Sequence, residues 1–376
     1  MPLLCCKDVT SLVAWTPVDD KYGALANARA PSDNAVKGED VEESFMRISV
    51  LLAAGAAVLW TGAAAAQNTS AEVAPVIDVH MHAMEDASWA VPVCPNQARF
   101  EASDPKNGPE APFGWSMEEC SPKLYPAPKG QYMKMVLDEM ERLNVRGVVF
   151  GEPDAVKKWQ TAAPARVIPG TAFGRVAGSD PAKQLRMLEV AFGQDGFKVM
   201  GEIGLQYEGI SPSDMRVDQY FALAEKMDIP VAIHMGTGGS GRANVGMPAY
   251  RGSMGNPLLL EELLARHPKL RVQVMHAGYP MIDNMLTLLQ ANSHVYVDIA
   301  GLIWSYPRKE VNRYIERLVD AGFGDRVMYG TDQLAWPGLM AYSIGLIQNA
   351  DYLSPVQKRD ILYNNAARFL RLEPAK

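Results

Sequence analysis

Six side chains from five separate stretches of the chain are of the types that hold a divalent cation. His80 and His82 stand in Val79-His80-Met81-His82, and Glu202 follows Gly201. His234 closes Pro230-Val231-Ala232-Ile233, His276 closes Val272-Gln273-Val274-Met275, and Asp332 follows Tyr329-Gly330-Thr331. Imidazole nitrogen and carboxylate oxygen are the donors that a catalytic zinc or similar ion accepts while keeping a position open for water. Water held there becomes a usable nucleophile near neutral pH. Any one of these histidines alone would be read as structural. The chain has only six, however, and four of them end apolar runs. The other two read as structural, because His267 precedes Pro268 at a helix end and His294 begins its run instead of ending it.

Side chains alternate across a strand, so His80 and His82 project in one direction and can share an ion. Asp78 has the same parity one step deeper and is expected to support them. Glu202 is expected either to bridge two ions or to position substrate; bridging would make the centre binuclear, and otherwise one metal suffices. Arg242 and Arg251 lie in the long connection after His234, where a guanidinium fork can pair with a carboxylate or phosphate. Asp298 and Trp304 come at and just after the end of the seventh run, where both can wall the pocket; Asp298 can equally cap a turn. Tyr207 and Trp336 are similarly placed, with no chemistry implied.

The elements that must position these groups are legible as short apolar runs alternating with amphipathic stretches, the pattern of parallel strands joined by crossover helices. Eight runs occur, at 76–80, 146–150, 166–171, 197–202, 230–234, 270–276, 295–299 and 326–329. Helical stretches are expected at 131–143, 181–192, 211–227, 257–267, 281–291, 309–321 and 338–349. Eight strand-helix units over about 300 residues fit an α/β fold, a (β/α)8 TIM barrel of the usual ~250 residues with insertions. An open doubly wound sheet would carry a Gly-rich phosphate loop after its first strand, where this chain has His80-Met81-His82. Two connections, 83–130 and 235–256, are long enough to form lids or binding walls.

Upstream of the barrel, Met46-Arg47 leads into an apolar run, 48–66, that ends in four alanines. This layout is expected to be a secretory signal peptide at 46–66. Residues 1–45 then read as a disordered or mis-assigned leader, and 67–376 as the enzyme domain. Removing the leader and signal changes the net charge from −7 to −4. The acidic sign argues against nucleic acid as a partner. The expectation is an exported, periplasmic or secreted protein with a small-molecule substrate and no stable membrane anchor, homo-oligomerisation being left open. Cys94 and Cys120 would remain as a pair in an oxidising compartment, closing the loop after the first strand by a disulfide. No CxxC spacing exists for a cysteine zinc site.

The order His-x-His, a strand-four residue, His, His, Asp resembles the amidohydrolase superfamily. Ile77-Asp78-Val79-His80-Met81-His82, Met275-His276-Ala277-Gly278 and Tyr329-Gly330-Thr331-Asp332 resemble its amidohydrolase-related branch, as does the closing segment 361–369. The resemblance spans about Val76 to Leu372. It implies that His80, His82, His234, His276 and Asp332 surround the metal, with Asp332 also acting as general base or proton shuttle. Many members carry a carboxylated lysine on strand four, whereas Glu202 is similar to the arrangement in TatD-like hydrolases; decarboxylases of the branch commonly use a single zinc. The function expected is metal-dependent hydrolysis of an amide, lactone or ester by activated water, with zinc as the expected ion, one or two per chain. Two alternatives stand beside it: zinc-dependent non-oxidative decarboxylation of an unsaturated or aromatic acid, and non-catalytic metal binding by an exported protein.

Overall fold

The computed structural model describes residues 73–87, 90–97, 120–239, 241–243 and 247–372. The expected leader and signal peptide lie outside the described residues. Among the described residues no helix is long and apolar enough to cross a membrane.

Eight parallel strands pair in chain order: β1 (Val76–His82), β2 (Val145–Phe150), β3 (Val167–Thr171), β4 (Val199–Ile203), β5 (Val231–His234), β6 (Val272–Met275), β7 (Val295–Asp298) and β8 (Val327–Met328). The seam between β8 and β1 is drawn together by backbone bonds. Val79 N–H donates to the Tyr329 carbonyl at 3.0 Å, Asp332 N–H to that of His80 at 2.8 Å, and His82 N–H to that of Gln333 at 3.2 Å. The arrangement is a TIM barrel, as the alternation of runs predicts.

The crossover helices are α1 (Tyr132–Arg142), α2 (Pro153–Ala162), α3 (Pro181–Gly193), α4 (Asp218–Lys226), α5 (Glu261–Arg266), α6 (Ile282–Ala291), α7 (Leu302–Ser305), α8 (Arg308–Leu318) and α9 (Leu339–Gln348). Two short helices, α10 (Pro355–Arg359) and α11 (Asn365–Leu370), end the described chain. Their apolar faces meet the outer faces of the strands in one large core, to which Val136 and Met140 of α1, Leu188 of α3 and Leu288 of α6 belong. A second cluster lies within the barrel, where Ile77, Val79, Val148, Val199, Ala232 and Met275 join Phe369 of α11.

The expected helix at 211–227 begins only at Asp218. Before it, Ser211 Oγ accepts from the Ser213 backbone N–H at 3.2 Å, and Asp214 Oδ1 from that of Arg216 at 2.9 Å. Such local side-chain acceptors offer the backbone turns instead of a helix. Helix α2 was not foreseen, its ten residues offering a shorter apolar stripe, with Val156 and Trp159 buried. Cys94 and Cys120 form the expected disulfide, with Cα atoms 5.9 Å apart.

Candidate metal centre

All six expected ligands come to the same rim. His82 ends β1, His234 ends β5, Glu202 is the penultimate residue of β4, His276 follows β6 directly, and Asp332 stands in the loop after β8. His80 and His82 approach through their Nε2 atoms at 3.3 Å. Glu202 Oε2 lies 3.5 Å from His80 Nε2 and 3.2 Å from His82 Nε2, and its other oxygen lies 4.0 Å from His276 Nε2. Asp332 Oδ1 lies 3.6 Å and 3.1 Å from the same two imidazoles. Three overlapping groups therefore have donor atoms close enough to share an ion: His80, His82 and Glu202; Glu202, His234 and His276; and His80, His276 and Asp332.

The outer nitrogens of the histidines show that this donor set fits a cation. His276 Nδ1–H donates to the Ala300 carbonyl at 2.8 Å, and His234 Nδ1–H to Gln206 Oε1 at 2.9 Å. His80 Nδ1 lies 3.4 Å from Asp298 Oδ2. An acceptor behind one ring nitrogen holds the proton there and leaves the opposite lone pair for a metal. In all three rings Nε2 is thus the nitrogen turned toward the centre.

Two ligands sit on unusual backbone. His276 and Asp332 have φ of 56° and 58°, a left-handed region uncommon for any residue but glycine, although Asn, Asp and His enter it more readily than the rest. Gly301 has φ of 64°, and a Cβ there would stand 3.1 Å from His276 Nδ1 and 3.2 Å from Asp332 Oδ2. A side chain here would be strained by the positive φ and would press on both ligands, pushing them back by a few tenths of an ångström.

The electrostatics point the same way. Burial alone would lower the pKa values of His80 and His82. Asp332, Asp298 and Glu202 nevertheless carry His80 well above its ordinary value, and Asp332 and Glu202 raise His82 to about 9. Glu202 and Asp332 are lowered in return, although burial opposes it. Without a cation the two carboxylates are thus balanced by protons on His80 and His82, and a divalent ion would balance them while leaving the imidazoles neutral. His234, pushed down to about 3 by burial and by His276, is neutral already.

A cavity of about 580 Å³ opens above the centre and is lined in part by Glu202, Tyr207, Arg242, Trp304, Tyr306 and Asp332. Two sequence expectations need correction against this geometry, those for Asp298 and Arg251. Asp298 does not wall the pocket: it is fully buried, and its Oδ1 accepts from the backbone N–H groups of His276 and Ala300, both at 2.9 Å. Its Oδ2 accepts from Gln273 Nε2 at 2.5 Å. Arg251 does not reach the cavity but is exposed, donating to the Pro248 and Tyr250 carbonyls at 2.8 Å. Asp78 supports the histidines through backbone alone, accepting from His80 N–H at 3.0 Å and from Thr331 N–H and Oγ1–H at 3.0 and 2.6 Å.

Arg242 and Trp304 do line the cavity. His267, bonded to Asp218 at 3.0 Å and Glu225 at 3.4 Å, is away from the centre, as its sequence position implies. Tyr207 lines the cavity as its position implies, but its hydroxyl's 2.8 Å contact with His234 Nε2 was not foreseen, and Gln206, which fixes His234 Nδ1, was missed. A single Gln and Tyr after a strand carry no spacing signal that would have marked these contacts.

Comparison with known proteins places the fold. The structure is similar to an uncharacterised TIM-barrel protein from Bordetella bronchiseptica, with a TM-score of 0.56 and 17% identity over 79% of this chain and 99% of that one. It is also similar to a probable 2-pyrone-4,6-dicarboxylic acid hydrolase from Acinetobacter baumannii, solved with citric acid bound, with a TM-score of 0.52 and 12% identity over 80% and 100%. At such identities the likeness is one of fold. No curated protein matches the sequence. The sequence profile of the amidohydrolase family, in contrast, matches residues 77–372, from β1 through α11 and across every residue of the centre, so the chain belongs to the amidohydrolase family.

Proposed function

We propose that this chain is a metal-dependent hydrolase of a small-molecule amide, lactone or ester, with two ions gathered around Glu202. The observation that carries this reading is the shared carboxylate: Glu202 belongs both to the group with His80 and His82 and to the group with His234 and His276. A carboxylate with one oxygen toward each group is what a bridging ligand of a two-ion hydrolytic site requires. The nitrogen and oxygen donors suit zinc.

A divalent cation held by these ligands supplies Lewis acidity and brings the pKa of water toward neutrality. The chain's own residues do the rest. Asp332, kept ionised beside His80 and His82, takes the proton of the attacking water and returns it to the departing nitrogen or oxygen, so that no proton is left over. The aromatic wall of Trp304 and Tyr306 confines the substrate, and Arg242 pairs with an anionic group on it. A cavity of about 580 Å³ is in the range that encloses a compound of this size. The disulfide and the apolar segment 48–66 support placement in an oxidising compartment after export.

The group of His80, His276 and Asp332 would by itself hold a single ion, and that observation favours the second reading, decarboxylation. Metal analysis of protein prepared without chelators, joined to turnover in ¹⁸O-water, separates the two. Two equivalents of metal and one solvent oxygen in the product support hydrolysis. Carbon dioxide release without solvent oxygen from a one-metal protein selects decarboxylation, and absence of stoichiometric metal overturns both.

A further inference from the structure

The Tyr207 hydroxyl stands on the lone pair that His234 would give to an ion. Tyr207 lies in the 3₁₀ turn Leu205–Glu208 that follows β4. Its hydroxyl is 2.8 Å from His234 Nε2. The direction of this bond follows from the neighbouring amide. Gln206 Nε2 donates to the Gly236 carbonyl at 2.6 Å; with the amide reversed, two carbonyl oxygens would face each other at that distance. Gln206 Oε1 must therefore be the atom 2.9 Å from His234 Nδ1, which places the imidazole proton on Nδ1 and the lone pair on Nε2. Tyr207 is the donor to that lone pair.

The group of Glu202, His234 and His276 needs the same electrons, and one lone pair cannot accept a proton and bind a metal at once. We propose that Tyr207 is a positioning residue governing metal loading: its hydroxyl caps His234 Nε2, and an ion enters that half of the centre only by displacing it. This inference rests on the two-ion reading above. It makes the halves unequal. The group of His80, His82 and Glu202 does not include a partner of Tyr207, so the cap bears on the His234 half alone. The displaced phenol remains in the wall of the substrate cavity, which Tyr207 already lines.

The test titrates metal-free full chain, wild type and Tyr207→Phe, with Co²⁺, following ligand-field absorption and calorimetric stoichiometry. The expected result is one equivalent that binds as in wild type and one that binds roughly three- to tenfold more tightly in the variant, the value of one neutral hydrogen bond. A crystal structure of fully loaded wild type supplies a reading that does not depend on the variant's folding, and should show the Tyr207 hydroxyl out of hydrogen-bond reach of His234. Two equivalents both unaffected by the substitution, or a loaded centre with Tyr207 still on Nε2, overturns the proposal and leaves the hydrolase reading standing. Wild type that takes up no stoichiometric metal overturns that reading, and this proposal with it.

Discussion

Replacing Asp298 by asparagine would separate what holds the metal centre in shape from what holds the barrel together. The residue is fully buried at the end of β7. Its Oδ1 accepts from His276 N–H and Ala300 N–H, a role the amide oxygen of asparagine keeps. The other position changes sign: an NH₂ group would face Gln273 Nε2, now 2.5 Å from Oδ2, and His80 Nδ1, now 3.4 Å from it. Gln273 can relieve its half of the conflict by turning its amide, at the loss of its 3.3 Å bond to the Val79 carbonyl. Together with the lost anionic acceptor, this should cost the fold about 2–3 kcal/mol. His80 has no such escape. Without a carboxylate behind Nδ1 its proton is no longer held there, and metal affinity should fall about 10- to 100-fold. Urea unfolding of the chelated protein should show a lower midpoint at unchanged slope, and competition against a chromophoric chelator should show the affinity loss. If stability falls while metal affinity stays within about twofold of wild type, Asp298 does not orient His80 and the reasoning is refuted.

Metal uptake should depend on pH through His82. Its pKa in the metal-free fold, about 9 against an ordinary 6.5, means that the protonated form stabilises the fold. That contribution is complete below about pH 6.5 and is lost as pH rises to about 9. Metal must displace this proton, so affinity should climb through the same window, and calorimetry in buffers of different ionisation enthalpy should detect proton release at pH 7. Gly301→Ala should lower metal affinity at least about tenfold with little change in secondary structure, because its Cβ would meet both His276 and Asp332 at a positive φ; circular dichroism and metal titration together check this. Arg242→Ala should raise KM for anionic substrates about tenfold or more without altering metal content, whereas Arg251→Ala, with its side chain spent on exposed carbonyls, should leave steady-state kinetics unchanged.

The barrel and its ligand set were legible for a common reason. An apolar run ended by a histidine or carboxylate is a local signal, and in a barrel of parallel strands every such end is carried to one rim. Asp298 was visible as a residue at a strand end, but its direction was not. Its burial follows from the two backbone N–H groups and the Gln273 amide that converge on it from β6 and the segment after β7, contacts that exist only once the strands are paired. Arg251 was placed in the right loop, yet the path of a long connection depends on packing that its composition does not encode. Helix α2 was hidden by a short apolar stripe, and Gln206 and the contact of Tyr207 with His234 by having no spacing signal at all.

The amino-acid sequence by itself determined the alternation of strands and helices, the side on which the chemistry gathers and the identity of six metal-competent groups, because each depends on periodicity and residue type within a few positions. Only the tertiary structure decided that Glu202 stands between two groups of histidines, that His80 backs onto Asp298, and that His234 is already engaged by Tyr207. Those relations join residues from different strands, and their distances are set by closure of the sheet on itself, which no local stretch of chain specifies.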